Sequence, residues 1–472
     1  MDDFEDFSAQ ITARFDKMSD FDARTLVSGG VTYRVFYIKN LASRDMINKY
    51  ILSPLIEFGG RGSVFDATSQ ATVEKLDGAD CAADAVLSGA AVIISSRGEI
   101  VSAMTKNDDG RAPSEPETEN VIRGAHEGFT ENGGANAMLI RRRIKSTHLK
   151  KEDFSLGGET KTEVSIMYLD DVVRGDVLKT LKRRLAAIKI NGILDSGYVE
   201  MYIQDGKYSF YPTVGNSERP DKVAAKILEG RVAVIVDGSP VVLTVPYLFA
   251  EGFQVAEDYS KSTVYATFER ILRFFGMTAS LLFPAVFLAA ANAPSLARTK
   301  FIEYVSESRK GIGIPIFAEL VLVFIMFELV REVGLRMPKA VGSAVGIVGS
   351  LIIGDSAVEA GIVSAPVLMV VAFSAVCNFL APPYMNSNVV LRGFLILSAG
   401  FFGMAGLSVS VLAVIVAFMR KRSFGTPYLS PLVPFSASGQ GDFLLMLPIW
   451  RQKYVPTSIS GKKIVRARKK RG

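Results

Sequence analysis

The chain has 472 residues, enough for two to four domains, and 49% of them are hydrophobic. Its two cysteines, Cys81 and Cys377, lie far apart in the sequence, which excludes a disulfide framework and a cysteine-ligated zinc site. The net charge of +6 owes much to the last twelve residues, which carry seven basic side chains. Attraction to anionic membrane lipid is the favoured interpretation of this tail, and nucleic acid is the alternative.

The N-terminal half of the sequence predicts a soluble α/β portion made of two subdomains. We expect residues 1–30 to be a polar lead-in with no signal or transit peptide, so that this portion stays in the cytoplasm. Strand-like and helix-like segments then alternate in residues 31–120 and again in residues 121–264. Each subdomain contains a hairpin pattern, which turns at Arg97–Gly98 in the first and at Asp237–Gly238 in the second.

Residues 107–120 predict an exposed acidic linker, and the unusual stretch VIRGAHEGFTENGGANAMLIRRRI follows it at 121–144. A catalytic loop, a nucleic-acid site and a structural joint are the three alternatives for this stretch. His126 and Glu127 would suit acid–base chemistry, but the sequence contains no Ser-His-Asp order, metal-ligand spacing or P-loop. No aromatic residues are interleaved for base stacking. We therefore expect a joint, and no enzyme activity, cofactor, metal or nucleic-acid partner.

A second extended segment is expected further along the soluble portion. Residues 191–203, NGILDSGYVEMYI, come directly after a segment with the pattern of an amphipathic helix. They are rich in β-branched and aromatic side chains. This composition favours a return to strand structure.

Residues 265–422 predict an all-α, multi-span membrane domain, because charge-free apolar runs of about 20 residues can cross a bilayer as helices. The apolar segments are expected at about 274–293, 311–330, 341–354, 360–381 and 393–419. Residues 423–472 would form a cytoplasmic C-terminal segment that ends in the basic tail.

The number of membrane crossings poses a conflict. Arg270 and Arg273 precede the first apolar run, and residues 420–422 are all basic and close the last one, so both ends favour the cytoplasmic side. That arrangement requires an even number of crossings, yet five segments are found. One segment must be re-entrant or interfacial, or the long last one crosses incompletely or twice. Four crossings are favoured, with 311–330 as the unusual segment.

Four carboxylates lie in or beside the apolar segments: Glu319, Glu328, Asp355 and Glu359. A carboxylate at membrane depth normally faces other helices or a water-filled space. Glu319 would line an ion path or a protein seam, or else pair with Arg331 or Arg309. Asp355 and Glu359 are four residues apart and share a helix face. They would form either a cation-attracting rim or an exposed helix end.

Four stretches of the sequence stand in a distinctive order. They are SEPETENVIRGAHEGFTE running into LIRRRIK, then TFERILRFFG, then FELVREVGLRMPKAVGSAVGIVGSLIIGDSAVEAGIVSAP, and finally RSFGTPYLSPLVPF. This order resembles the A-subunit family of bacterial spore germination receptors, over roughly residues 30–450. The chain departs from the family at Ala125–His126, where relatives usually have Pro–Arg. The family-signature joint would comprise Arg123, Gly124, Glu127, Gly128, Phe129, Glu131, Arg141, Arg142 and Arg143.

The resemblance implies a protein of the inner spore membrane that acts with a transporter-like B subunit and a lipoprotein C subunit. It also implies self-association into a ring and a cation channel that opens when nutrients appear. The four carboxylates are then ion-path candidates, and the joint residues would form an ion-pair network between subdomains or between subunits. The alternative is a non-conducting accessory or scaffold protein of the germination machinery. The resemblance leaves open a nutrient-receptor A subunit and the related stage V accessory type.

Overall fold

The structure, a computed structural model, describes residues 2–107, 115–116, 118–119, 121, 123–206, 209–293, 300–336, 354–452, 454–461 and 465. Within these residues, the N-terminal half forms two five-stranded sheets with helices, and the C-terminal half is mainly helical. This arrangement agrees with the expected order of a sheet-containing portion followed by a helical one.

The first subdomain is built around an antiparallel sheet with the strand order β1-β2-β4-β5-β3. Its elements are α1 (Asp2–Arg14), β1 (Phe21–Ser28), β2 (Val31–Ile38), α2 (Arg44–Ile47), a π-helical turn (Asn48–Leu52), α3 (Ser53–Phe58), α4 (Val64–Ala67), β3 (Val73–Lys75), α5 (Ala79–Leu87), β4 (Ala90–Ser95) and β5 (Ile100–Met104).

The second subdomain repeats this topology, because its antiparallel sheet has the order β6-β7-β9-β10-β8. Its elements are α6 (Gly133–Arg143), β6 (Leu149–Leu156), β7 (Thr162–Leu169), α7 (Gly175–Ala186), α8 (Ser196–Ile203), β8 (Gly215–Ser217), α9 (Pro220–Leu228), β9 (Val232–Val236) and β10 (Val242–Val245). In both subdomains a helix precedes a hairpin, and a short edge strand and another helix precede a second hairpin.

One hydrophobic core joins the two subdomains. It contains residues of α1, α5, α6 and α9 together with one face of each sheet. The opposite face of the first sheet packs on α2–α4, and that of the second packs on α7 and α8. Because both faces of the central strands are covered, every residue of β4 and β9 is buried, and their sequences AAVIIS and VAVIV are almost entirely apolar.

Two local expectations were wrong. Residues 1–30 are not a polar lead-in, because they form α1 and β1, and Ile11 and Phe15 of this stretch enter the common core. Residues 191–203 are not extended throughout, because Ser196–Ile203 is helical. Asp195 caps that helix by accepting a 3.0 Å hydrogen bond from the backbone of Gly197. In both places a helical spacing of buried residues outweighed local composition.

The main helices of the C-terminal half are α10 (Thr263–Ala291), α11 (Lys300–Ser308), α12 (Ile316–Arg336), a helical turn at 354–359, α13 (Ala365–Asn378) and α14 (Met385–Arg420). A two-stranded sheet (Arg422–Ser423 with Thr426–Pro427) and two short helices (Ala437–Gln440 and Thr457–Ser460) follow them. Among the described residues, two segments are long and apolar enough to cross a membrane, Thr263–Ala291 and Pro382–Arg420. The apolar segment expected at 341–354 lies almost wholly outside the described residues. The multi-span topology therefore stays a prediction.

Helix α14 is bent back on itself at Gly403. Gly403 has φ 60° and ψ −146°, a backbone conformation that is essentially restricted to glycine. A straight helix of 36 residues would be about 54 Å long. Nevertheless, the rings of Tyr384 and Phe418, at its two ends, lie 5.3 and 5.5 Å from the ring of Phe249. The segment is therefore a helical hairpin.

The two arms of the α14 hairpin touch near its tip. The hydroxyl oxygens of Ser398 and Ser410 are 2.6 Å apart, although twelve residues of straight helix would separate them by about 18 Å. A hairpin enters and leaves an apolar layer on the same side. This fits the alternative in which the long last segment crosses incompletely or twice. The number of crossings stays a prediction.

An aromatic cluster connects the second subdomain to the base of the helices. Phe249, which follows β10, accepts a 2.6 Å hydrogen bond at its carbonyl from the Tyr384 hydroxyl. Tyr211 donates to the Asn388 side chain at 2.5 Å. Lys421, just after α14, donates to the Ser209 hydroxyl at 2.6 Å, and burial lowers its pKa to about 8. Both ends of the hairpin are therefore fixed on the soluble portion.

The hairpin can be tested by a disulfide between its arms. Ser398→Cys combined with Ser410→Cys, in a chain whose Cys81 and Cys377 are replaced by alanine, should oxidise within one molecule because the two hydroxyls are 2.6 Å apart. Loss of maleimide labelling that is restored by reductant measures the bond. The matched control pairs Ser398→Cys with Ser408→Cys, since Ser408 is exposed on another face of the second arm. Equal oxidation of both pairs would contradict the hairpin.

Candidate functional site

The start of α6 is where the two subdomains meet. The side chain of Asn132 caps the helix, and the backbone of Gly133 donates to the Asp237 carboxylate at 2.9 Å. A Cβ atom at Gly134 would overlap the side chain of Asn40, which belongs to the first subdomain. The glycines thus allow the helix to approach both subdomains closely.

Two of the three consecutive arginines cross the joint. Arg141 binds Asp20 of the first subdomain with both guanidinium branches, at 2.5 Å from Nε and 2.7 Å from Nη2. Its Nη1 also donates to the carbonyl of Leu149 at 3.3 Å. Arg142 donates to the carbonyl of Asn107 at 2.6 Å. The Arg141–Asp20 pair is almost completely buried, so each charge depends on the other.

The other charged residues of the joint lie nearer the surface. Arg143 pairs with Glu127 at 2.5 Å within the second subdomain, and both side chains are about a quarter exposed. Arg123 is exposed. His126, the candidate for acid–base chemistry, is half exposed and lies 3.3 Å from the carboxylate of Glu115. His126 therefore lies at the surface and not in a water-excluding pocket.

The remaining signature residues shape the backbone of the joint. Phe129 is buried and its backbone donates to the carbonyl of Glu218 at 2.8 Å. Gly128 is buried beside it, and the carbonyl of Glu131 accepts a 2.7 Å hydrogen bond from the β9–β10 turn. Gly124 has φ +152°, where side chains are rarely found. These residues hold the chain that leads into α6.

The end of the acidic linker is fixed by a residue that the sequence did not single out. Glu119 accepts hydrogen bonds from the Ser217 hydroxyl, from the backbone of Glu218 at 3.1 Å and from the Lys222 ammonium at 2.5 Å. Burial alone would raise the pKa of Glu119, but the Lys222 charge and the hydrogen bonds from Lys222 and Ser217 together outweigh it, so the pKa lies below its ordinary value. The linker end is therefore ordered as an anion against the second subdomain.

One exposed group in the described part of the chain has ligand types suited to a metal: His148, Asp170 and Asp171. His148 already pairs with Asp170 at 2.8 Å, and the Lys150 ammonium lies 3.8 Å from the same carboxylate. These contacts engage His148 and Asp170 within the protein.

Glu319, expected in an ion path or an ion pair, is fully buried at the start of α12. One carboxylate oxygen lies 2.9 Å from Nε of Arg309. The other accepts hydrogen bonds from the backbone and hydroxyl of Ser364, at 2.6 and 2.5 Å. Because Ser364 is the N-cap residue of α13, Glu319 joins the starts of two helices. Of the two arginines expected as alternative partners of Glu319, Arg309 forms the pair.

A second charge cluster lies halfway along the helices. Glu328 of α12 is 2.9 Å from Arg331 and 3.5 Å from Arg392 of α14. Arg392 also donates to the Ser374 hydroxyl of α13 at 2.7 Å, and its guanidinium lies 5.3 Å from the centre of the Phe324 ring. We call Glu328, Arg331, Arg392 and Ser374 the mid-bundle cluster.

The mid-bundle cluster is only partly satisfied within the described residues. Nε and Nη1 of Arg331 and Nε of Arg392 are buried and have no hydrogen-bond partner among them, whereas the buried Oε2 of Glu328 lies 2.9 Å from Nη2 of Arg331. Unpaired buried polar atoms are costly in a low-dielectric environment and are retained mainly where function or another partner requires them. With two guanidinium groups against one carboxylate, the cluster carries a net positive charge.

The other two ion-path candidates lie apart from this cluster. Asp355 and Glu359 are both exposed in the helical turn at 354–359. That turn lies near the start of α13, since a Cβ at Gly354 would touch Leu368. The structure therefore does not bring the four candidate carboxylates to one place.

Sequence reasoning missed Arg392 although a signal was present. The sequence pattern predicts that the apolar segment starts at Gly393, which makes Arg392 a flanking residue. Helix α14 begins eight residues earlier than that boundary, at Met385, which places Arg392 inside the segment. A single charge within an otherwise apolar helix is a marker of function in membrane proteins.

Two repeated subdomains, each with helices packed on an antiparallel sheet, are joined to apolar helices that hold a buried charge cluster, and this defines a two-part protein. Residues 9–458 match the Bacillus/Clostridium GerA spore germination protein family, and the chain belongs to that family. This confirms the resemblance drawn from the ordered motifs. Membership supports a role in spore germination.

Two relatives illustrate the similarity. Spore germination protein KA of Bacillus subtilis (strain 168) is 36% identical over 445 residues, which cover 92% of this chain and 81% of that protein. Stage V sporulation protein AF of the same organism is 34% identical over 381 residues, covering 79% and 76%. The crystal structure of the N-terminal domain of the A subunit of the Bacillus megaterium spore germinant receptor GerK3 is 29% identical and covers 51% and 94%, with a TM-score of 0.39.

The joint makes a prediction about stability. Arg141→Ala should lower the free energy of unfolding by about 3–5 kcal/mol, because it leaves Asp20 as an unpaired buried charge. Arg143→Ala removes a partly exposed pair with Glu127 and should cost no more than about 1 kcal/mol. Denaturant unfolding of the full chain in detergent, followed by circular dichroism, measures both. Equal losses for the two variants would show that the Arg141–Asp20 pair does not hold the joint.

Proposed function

We propose that the protein is the membrane subunit of a spore germination receptor. It self-associates into a ring that forms or gates a cation channel and so triggers germination in response to nutrients. The observation that carries the proposal is the under-satisfied mid-bundle cluster, since ionisable groups buried among apolar helices mark ion paths and gates. Family membership supplies the biological setting.

The ion path of the proposed channel lies between copies of the chain. The interior of one bundle is filled with packed apolar side chains, and the cluster within it is net positive, which opposes a cation. Among the described residues, helix α12 is covered on one face, and large apolar side chains are exposed on the rest of its surface: Leu322, Ile325, Leu329, Val333 and Leu335. A neighbouring copy would cover this surface and bring the partly exposed Glu328 to the seam.

The soluble portion is the part of this subunit that would pass a signal to the helices. The aromatic cluster around Phe249 fixes both ends of the α14 hairpin, and Arg392 of that hairpin contacts Glu328. A movement of the second subdomain would therefore reach the mid-bundle cluster through a continuous chain of contacts. A transporter-like B subunit and a lipoprotein C subunit are the proposed partners, in the inner spore membrane with the N-terminal portion in the cytoplasm.

A non-conducting accessory or scaffold protein is the second candidate function. The positive charge of the mid-bundle cluster favours it, because a guanidinium at membrane depth repels cations. The similarity to stage V sporulation protein AF is also compatible with an accessory role. Ion flux separates the two functions, since a scaffold gives none at any protein density.

The channel is tested by Glu328→Gln in liposomes that contain the purified full chain. Loss of the carboxylate leaves two guanidinium groups unneutralised, so monovalent-cation flux should fall about tenfold or more, given a repulsion of several kcal/mol at contact distance. Glu332→Gln is the matched control, because Glu332 pairs with Arg336 at 2.7 Å on the exposed end of the same helix. Size-exclusion chromatography checks that assembly is retained. Wild-type flux in Glu328→Gln would remove the cluster from the path, and absent flux in the wild-type chain would favour the scaffold.

A further inference from the structure

An exposed apolar surface follows the α14 hairpin in the chain. We call residues 442–451 the C-terminal foot. Four of its large apolar side chains are exposed: Leu445, Leu447, Ile449 and Trp450. Trp450 is the only tryptophan of the chain and is 80% exposed. A contiguous apolar patch of this kind is unfavourable in water and marks a surface that contacts a partner or a membrane.

The foot is fixed to the base of α10 and is not a free tail. Nη1 of Arg270 donates to the Asp442 carboxylate at 2.9 Å and to the carbonyl of Phe443 at 3.0 Å. The backbone of Met446 donates to the Thr267 hydroxyl at 3.1 Å. Arg270 is fully buried, so these contacts are shielded from water. The apolar side chains of the foot are therefore held at the height of residue 267.

The exposed surface of α10 indicates which environment surrounds the helix at the level of Thr267. Its exposed large apolar residues form one stripe that runs along the helix: Val264, Tyr265, Phe268, Leu272, Phe275, Phe283 and Val286. The stripe continues past Arg270 and Arg273 to the first turn of the helix, because both arginines face inwards and pair with Asp258. The apolar layer around the span thus reaches the level at which the foot is attached.

The chemistry of the foot matches the boundary between lipid headgroups and acyl chains. Tryptophan and tyrosine are enriched at that depth because their rings are apolar and their polar atoms can reach water. Trp450 of the foot and Tyr265 of α10 are both exposed. The exposed Arg451 follows Trp450, and the sequence after residue 461 is strongly basic. These cations complement anionic lipid.

We propose that the C-terminal foot lies in the interfacial layer of the bilayer, on the side of the soluble portion, with Ile449 and Trp450 inserted at the headgroup boundary. Its partner is an anionic lipid surface. Through Asp442 and Arg270 the foot then sets the height of the soluble portion above the membrane. The proposal requires that α10 spans the bilayer and is independent of whether the protein conducts ions.

The single tryptophan allows a direct test on the unaltered full chain. In liposomes of anionic lipid, Trp450 fluorescence should be quenched more strongly by lipids brominated near the headgroup than by lipids brominated near the chain ends. The difference should be about twofold, because interfacial residues lie roughly 5–10 Å below the headgroups. Aqueous iodide should quench it weakly. Strong iodide quenching without lipid quenching would place the foot in water, and protection from both quenchers would mean that protein covers it. Either result overturns the proposal.

A matched control moves the tryptophan and leaves the chain otherwise intact. Trp450→Phe combined with Tyr198→Trp places the fluorophore on the first turn of α8, in which Ser196 contacts Ser239 of the β9–β10 turn. Tyr198 is exposed there. This variant should be quenched by iodide and by neither brominated lipid. Lipid quenching at residue 198 would show that the bilayer signal is unspecific, and the proposal would fail.

Discussion

The contact between the second sheet and the base of the helices is the constraint on which the two-part structure depends. Phe249 meets both ends of the α14 hairpin, and the Tyr384 hydroxyl bonds to its carbonyl. Without this contact the hairpin would be tied to the soluble portion mainly through its polar bonds to Tyr211 and Ser209. Aromatic rings with a buried polar tip suit such a boundary, because one group supplies both apolar area and a directional bond.

The repeated subdomain topology explains why a single helix can serve as the joint. Helices α1 and α6 occupy equivalent places, each before the first hairpin of its sheet, and both enter the common core. Helix α6 alone carries arginines that reach the other subdomain, through Arg141 to Asp20 and Arg142 to Asn107. Because the Arg141–Asp20 pair is buried, the cost of removing both charges from water offsets most of their attraction. The main effect of the pair is therefore to fix the relative orientation of the two subdomains.

The order of a sheet-containing portion and apolar helices followed from hydrophobic patterns, because buried strands and spans carry continuous apolar runs. Other features depend on information that a pattern does not contain. Helix α1 was missed because Phe4 and Phe7 lie among acidic residues and Ile11 lies among polar and small ones. The reversal at Gly403 depends on one pair of backbone angles, and a glycine in an apolar segment does not specify them. The Arg141–Asp20 pair joins positions 121 residues apart, and no local rule selects that partner.

The placement of charges in the helical half limits how the proposed channel could work. One carboxylate oxygen of Glu319 binds Arg309 and the other binds Ser364. Its charge therefore holds the starts of α12 and α13 together and is not available to a passing ion. Glu328 is shared between two arginines, and buried nitrogens of both arginines have no hydrogen-bond partner among the described residues. A cation near Glu328 would compete with Arg392 for the same carboxylate. Conduction past this point therefore requires the α14 arm that carries Arg392 to shift relative to α12, and that arm is attached at its base to the soluble portion.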